Sequence, residues 1–128
     1  MGRVRKSAAF HVASADMWKR IGDFQRMEWH PAIAHAQECD EGSRRKLTTV
    51  DGAILSDSLL SAGSRHYTYR SDESPLPVTD LVSTLRVRAK NRDTCVVEWE
   101  SEFIAAGIAD EDARAMIGRI LQNGLNAL

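Results

Sequence analysis

The sequence predicts an α+β fold in which seven antiparallel strands make one sheet and a long C-terminal helix lies across it. Three observations predict this. Alternation of period two recurs between residues 34 and 105 in segments parted by turn signals. An apolar stripe with steps of three and four runs from Asp110 to Leu128, and a further alternating segment opens the chain ahead of two short helical stretches. With 128 residues the chain fits one domain, since domains cluster at about 100 to 150 residues.

Residues 3 to 13 form the first strand, with Val4, Ala8, Phe10 and Val12 on one face, Arg3, Arg5, Ser7 and His11 on the other, and Lys6 as the misfit. Ser14 is the expected cap of the first helix, its hydroxyl meeting an orphan N–H while Asp16 complements the helix dipole. Gly22 ends that helix. FQRMEWHPAI is expected as a second short helix or turn, broken near Pro31 because proline forces the preceding residue toward extended conformations.

The meander follows, punctuated at D-E-G-S (40 to 43), D-G (51 to 52) and A-G-S (62 to 64). Its first two strands, about 34 to 39 and 44 to 50, are weakly patterned. In the strand near 53 to 61, Leu55, Asp57 and Leu59 share a face; in the next, Tyr67 and Tyr69 oppose His66, Thr68 and Arg70. Residues 78 to 90 set Leu81, Ser83, Leu85 and Val87 against Val82, Thr84, Arg86 and Arg88. The last strand sets Cys95, Val97, Trp99, Ser101 and Phe103 against Val96, Glu98, Glu100 and Glu102, so the glutamates are expected to face Arg86 and Arg88 across the wet side. Asp110 is the expected cap of the final helix, whose stripe is Ala113, Met116, Ile117, Ile120, Leu121, Leu125 and Leu128.

Composition removes several classes of partner. Seventeen Lys and Arg against eighteen Asp and Glu give a net charge of −1, without the field that a nucleic-acid binder uses for steering. No apolar run approaches the roughly 20 residues that span a bilayer, so membrane insertion is not expected. Cys39 and Cys95 have no CxxC spacing and MGRVRKSAAF has no apolar signal core, which predicts free thiols in the cytoplasm. No cofactor is expected, because no phosphate-binding glycine motif and no G-x-S-x-G element is present. His30, His35 and Cys39 match no zinc spacing, so no metal is expected either. A homodimer stays open.

The inward face carries unusual cargo for a dry core: Asp57, Tyr67, Tyr69, Ser83, Trp99 and Ser101 stand among Leu59, Leu81, Leu85 and Phe103. An unpartnered buried polar group costs about 1 to 3 kcal/mol, so several on one face imply water, a ligand or a private hydrogen-bond network. A curled sheet touches a straight helix along only part of its length, and the space left between them is the expected small-molecule site.

Several runs then resemble a known family in their order along the chain. These are W-K-R-I-G-D-F with E-W-H-P-A-I, D-G-A-I-L-S-D-S-L-L, Y-T-Y-R-S-D-E-S-P-L-P-V-T-D-L-V-S-T-L, V-V-E-W-E-S-E-F and the closing amphipathic helix. Together they look like the polyketide cyclase/dehydrase branch of the START/Bet v 1 (SRPBCC) superfamily. The resemblance implies a helix-grip fold, with the sheet wrapped around the C-terminal helix and a deep cavity between them. It also implies that Ser74, Pro75, Leu76, Pro77 and Val78 form a gate loop at the mouth, as in plant hormone receptors of this superfamily. The latch of those receptors, a His-Arg-Leu run, has no match near residues 61 to 66, so only the loop position carries over.

Asp57 stands where many relatives carry an inward glutamate and is a candidate ligand anchor or general acid/base; the bland alternative is a carboxylate tied to Tyr67, Tyr69 or water. Tyr67 and Tyr69 can donate to a carbonyl or enolate, or simply form amphipathic wall. Trp29 is expected at the pocket floor, and His30 is a candidate proton shuttle with a surface or capping role as its plainer reading. Met116, Ile120 and Gly124 recur every four residues on the last helix, which reads first as core stripe, with Gly124 as a candidate space for a ligand. The expected function is binding of a small hydrophobic or aromatic, partly polar molecule of polyketide, lipid or isoprenoid type. A cyclase or dehydratase using Asp57 and a cavity tyrosine is the enzymatic alternative, and a protein-interaction module the third.

Overall fold

The computed structural model describes residues 1–128. Strand β1 (Gly2–Phe10) leads into helix α1 (Ser14–Ile21); β2 (Ile33–Cys39), a 3-10 turn at Asp40–Gly42, β3 (Arg44–Thr49), β4 (Ile54–Ala62), β5 (His66–Glu73), β6 (Val78–Ala89) and β7 (Cys95–Ala105) follow, and α2 (Asp110–Asn126) closes the chain. The seven strands form one antiparallel sheet in the order β1-β7-β6-β5-β4-β3-β2. The meander runs without interruption from β2 to β7, and only β1 crosses, to pair with β7 in an unbroken register from Gly2 opposite Phe103 to Phe10 opposite Cys95. With α2 held against β1 and β7, this is the helix-grip arrangement.

Alternation explains which side chains turn inward. On β7, Cys95, Val97, Trp99, Ser101 and Phe103 are all buried, whereas Glu100 and Glu102 point outward. Glu98 also points outward, yet Arg5 and Arg88 close over it, each donating at 2.6 Å. Arg86 is the direct cross-strand neighbour of Glu98 but makes no ion pair, because Arg5 and Arg88 already take both carboxylate oxygens. The outer ladder is completed from β1, where Arg3 reaches Glu100.

Four local expectations are corrected. Residues 23–32 contain no second helix but successive tight turns, with Arg26 N–H on Asp23 O, His30 N–H on Met27 O and Ile33 N–H on His30 O. Phe24, Met27 and His30 are buried at steps of three, which imitates a helical stripe. Neither expected cap serves as one. Ala13 and Ala109 occupy the N-cap positions, the Ser14 hydroxyl instead accepts from Arg65 Nη1, and Asp110 pairs with Arg114 at 3.0 Å. On α2 the buried stripe is Ala113, Ile117, Gly118, Leu121, Gly124 and Leu125, which leaves Met116 half-buried at its edge. On β4, Leu59 keeps the inward row of Leu55 and Asp57, opposite Tyr69, and packs half-buried against the core, but it lies beyond the cavity lining and the register shifts after it, before Ser61.

Candidate functional site

A cavity of about 170 Å³ lies between the sheet and α2. Five adjacent strands build its wall with alternate residues: Arg45, Leu47 and Thr49 from β3, Leu55 and Asp57 from β4, Tyr69 and Ser71 from β5, Leu81 and Ser83 from β6, Trp99 and Ser101 from β7. The turns before β2 add Met27, His30 and Ala32, and the first residue of β2 adds Ile33; the loop before β6 adds Pro75 and Leu76; α2 adds Ile117, Ile120 and Leu121. Twelve of these twenty residues are hydrophobic, so the few polar groups stand out against an apolar wall.

Of the residues expected here, His30, Asp57, Tyr69, Leu76, Leu81, Ser83, Trp99, Ser101 and Ile120 line the cavity. The others do not. Tyr67 is buried beneath Trp18 and Phe24, with ring centroids 6.0 and 5.6 Å away; Leu85 fills the core beside it across the strand pair, and Phe103 fills the core against Gly2. Trp29 lies tilted against Trp99, with ring centroids 5.5 Å apart, and like Leu59, Pro77 and Met116 is outside the lining. Gly124 leaves no room for a ligand: a Cβ there stands 2.6 Å from His30 Cδ2 and 2.7 Å from Trp99 Cζ3, so the two rings occupy that space.

The polar core of the site is a buried ion pair. Arg45 and Asp57 face each other across β3 and β4 and are 0 % and 2 % exposed, with Arg45 Nε donating to Asp57 Oδ2 at 3.0 Å. Arg45 Nη1 donates to the Phe24 carbonyl at 2.8 Å, and the guanidinium carbon sits 4.2 Å from the Phe24 ring centre and 4.7 Å from that of Tyr69. Burial raises the Asp57 carboxyl above the usual carboxylate range, against the pull of the Arg45 charge. Burial alone would lower Arg45, but the oxygens of Tyr67, Asp57 and Tyr69 reverse that and keep it protonated. Arg45 Nη2 and Asp57 Oδ1 are buried without a partner, each such group costing about 1 to 3 kcal/mol.

The side chains of Ser83, Ser101, Trp99, Tyr69 and His30 are already engaged. Ser83 and Ser101 are cross-strand neighbours whose hydroxyls bond at 2.7 Å, and Trp99 Nε1 donates to Tyr69 Oη at 3.1 Å. Burial raises the Tyr69 hydroxyl far above its ordinary range, so it stays a neutral phenol. His30 Nδ1 accepts from Ala32 N–H at 3.1 Å, which leaves the proton on Nε2, donated to the Ile120 carbonyl at 2.8 Å. Burial lowers its pKa, and the bond to Ile120 opposes that only in part. Both nitrogens are committed to backbone, so His30 is a strut between the turns and α2 rather than the expected proton shuttle.

The family model for polyketide cyclase/dehydrase and lipid transport proteins matches residues 1–128. The chain belongs to this family. An uncharacterised protein from Bacillus thuringiensis is 29% identical to this polyketide cyclase/dehydrase family member, with a TM-score of 0.97 over 99% of this chain and 96% of that one. The protein XoxI from Bacillus cereus is likewise 29% identical, with a TM-score of 0.96 over 99% and 92% of the two chains. The Zhui aromatase/cyclase from Streptomyces sp. R1128 shares the fold at 12% identity, with a TM-score of 0.77 over 98% and 87%. No curated protein matches the chain.

What sequence reasoning missed in this family member is chiefly Arg45. In R-R-K-L-T-T the alternation puts Arg45 and Leu47 on one face, but three consecutive cations hide which face is inner. The available signal was Asp57, because an inward carboxylate requires a cation within reach. Thr49, Leu55 and Ser71 sit on the same inward rows and follow from the register once it is known, while Ile117 and Leu121 come from the buried stripe of α2.

Proposed function

We propose that this protein binds a small, mostly apolar molecule with one polar end in the cavity between the sheet and α2, as a single ligand-binding domain. One observation carries this: an apolar wall converges on a buried Arg45–Asp57 pair that still has an unmet donor and an unmet acceptor. The volume of about 170 Å³ is close to that of an engineered cavity of about 150 Å³ that takes benzene, and below the roughly 300 to 1,000 Å³ of drug-sized sites. This narrows the ligand, among polyketide, lipid and isoprenoid types, to one-ring or short-chain molecules. The free thiols Cys39 and Cys95 fit action in a reducing compartment.

Native mass spectrometry of the protein as purified tests this reading. A mass excess in the range of a one-ring compound, lost when the cavity is filled by Ser83→Phe, supports it. An excess that survives the filled cavity contradicts it.

A second reading, cyclase or dehydratase chemistry, is favoured by the upward shift of Asp57 and its open Oδ1, which suit a general acid beside Tyr69. The likeness to an aromatase/cyclase is a likeness of fold. Turnover of a small poly-carbonyl probe that survives both Asp57→Asn and Tyr69→Phe would contradict it.

A further inference from the structure

The Arg45–Asp57 pair is half closed. A guanidinium presents Nε and Nη2 along one edge, and that edge normally meets a carboxylate through two parallel N–H···O bonds. Here Nε to Oδ2 is made at 3.0 Å, while Nη2 and Oδ1, the atoms of the second bond, have no partner. The guanidinium is not free to swing and close the gap. Its Nη1 is tied to the Phe24 carbonyl, and the rings of Phe24 and Tyr69 lie over it at 4.2 and 4.7 Å.

The gap defines what completes it. The filling group has to accept from Nη2 and donate to Oδ1 at once, so its acceptor and donor must stand side by side. A head group that supplies only one of the two leaves the other buried atom unmet. The pair already balances its own charge, so a carboxylate placed there would leave a net buried negative charge in an apolar wall. A hydrocarbon end would leave both atoms unmet.

We propose that the cavity selects an uncharged ligand whose head carries a hydrogen-bond donor and acceptor side by side, as a primary amide does, seated between Arg45 Nη2 and Asp57 Oδ1 with a one-ring apolar body against the wall. This rests on the reading of the cavity as a small-molecule site.

Calorimetric titration of the full chain at pH 7 with benzamide, benzoate and toluene, three probes of one size, tests the two claims separately. Benzamide is expected to bind at least tenfold tighter than either of the others. The double variant Arg45→Met/Asp57→Leu is expected to lose that preference and favour toluene. Benzoate or toluene binding as tightly as benzamide overturns the head-group assignment and leaves the cavity reading standing, as does a folded double variant that keeps the preference. Failure of all three probes to bind overturns both. If the double variant does not fold, the ranking on the unmodified protein decides.

Discussion

Gly124 and His30 share one space: a Cβ on residue 124 stands 2.6 Å from His30 Cδ2, closer than two carbon atoms approach without displacement. The glycine therefore lets α2 settle onto the ring that joins it to the turns before β2. Gly124→Ala gains about 1 kcal/mol in helix propensity but overpacks a rigid site at a cost of about 1 to 3 kcal/mol. The expected outcome is a net loss of about 1 kcal/mol, read as a lower urea midpoint. Equal or higher stability would show that the rings have slack.

Arg45 and Asp57 lead to a sharper stability prediction. Removing one partner from a buried pair strands the other and costs about 3 to 5 kcal/mol, whereas replacing both with apolar groups is often neutral. Arg45→Met alone is expected to fall in the first range and Arg45→Met/Asp57→Leu within about 1 to 2 kcal/mol of the parent. The single variant also acquires a pH signature. Asp57 is already raised by burial, and losing Arg45 raises it further. A carboxyl whose folded pKa lies above its unfolded value is stabilising while protonated and loses that contribution as pH rises through the folded value. The Arg45→Met deficit should be smaller near pH 4 than at pH 8 in parallel urea melts; a deficit independent of pH would contradict the buried charge.

The same two residues mark how far the sequence could be read. The alternations of β6 and β7 place Leu81, Ser83, Trp99 and Ser101 correctly because one face is wet and the other dry, which leaves a period of two in the text. Strand β3 has no such contrast, since Arg44, Arg45 and Lys46 differ in burial but not in charge. The register shift after Leu59 is equally silent, because a bulge changes which of the following residues face inward without any required residue type. The alternation of β5 turns Tyr67 inward, but Trp18 and Phe24 come from segments whose approach to the sheet no local pattern encodes. Gly124 shows in the sequence only as an absence of side chain; that two distant rings fill the space is a tertiary fact.

His30 provides a pH prediction on the neutral side. Its pKa is lowered by burial, so the unfolded chain binds a proton below about pH 6.5 that the folded chain still refuses. Stability is therefore expected to fall as pH drops from 6.5 toward the folded pKa, with a slope of at most about 1.4 kcal/mol per pH unit from this residue. His30→Gln retains an amide for one of the two backbone contacts and should lose that slope while being less stable at pH 7. In an NMR titration the His30 ring signals should move below pH 6.5; movement above it would contradict the neutral Nε2–H assignment.

Glu98 gives the opposite flank of the pH profile. Burial works to raise its pKa, but the bonds from Arg5 and Arg88 outweigh this and lower it below the ordinary glutamate value. A carboxylate with a lowered folded pKa contributes stability above its unfolded value near 4.5, and that contribution disappears as pH falls through the folded value. Glu98→Gln is thus expected to be less stable than the parent at pH 7, with the two converging toward pH 3. Arg5 and Arg88 are more than half exposed, so added salt should narrow the gap at pH 7. The gap should not vanish, because Glu98 itself is covered by the arginine stems and a glutamine leaves guanidinium donors without a charged acceptor. A gap abolished by salt would reduce the Arg5–Glu98–Arg88 cluster to surface electrostatics alone, and the register of β1, β7 and β6 would then rest on their backbone ladders and inner faces.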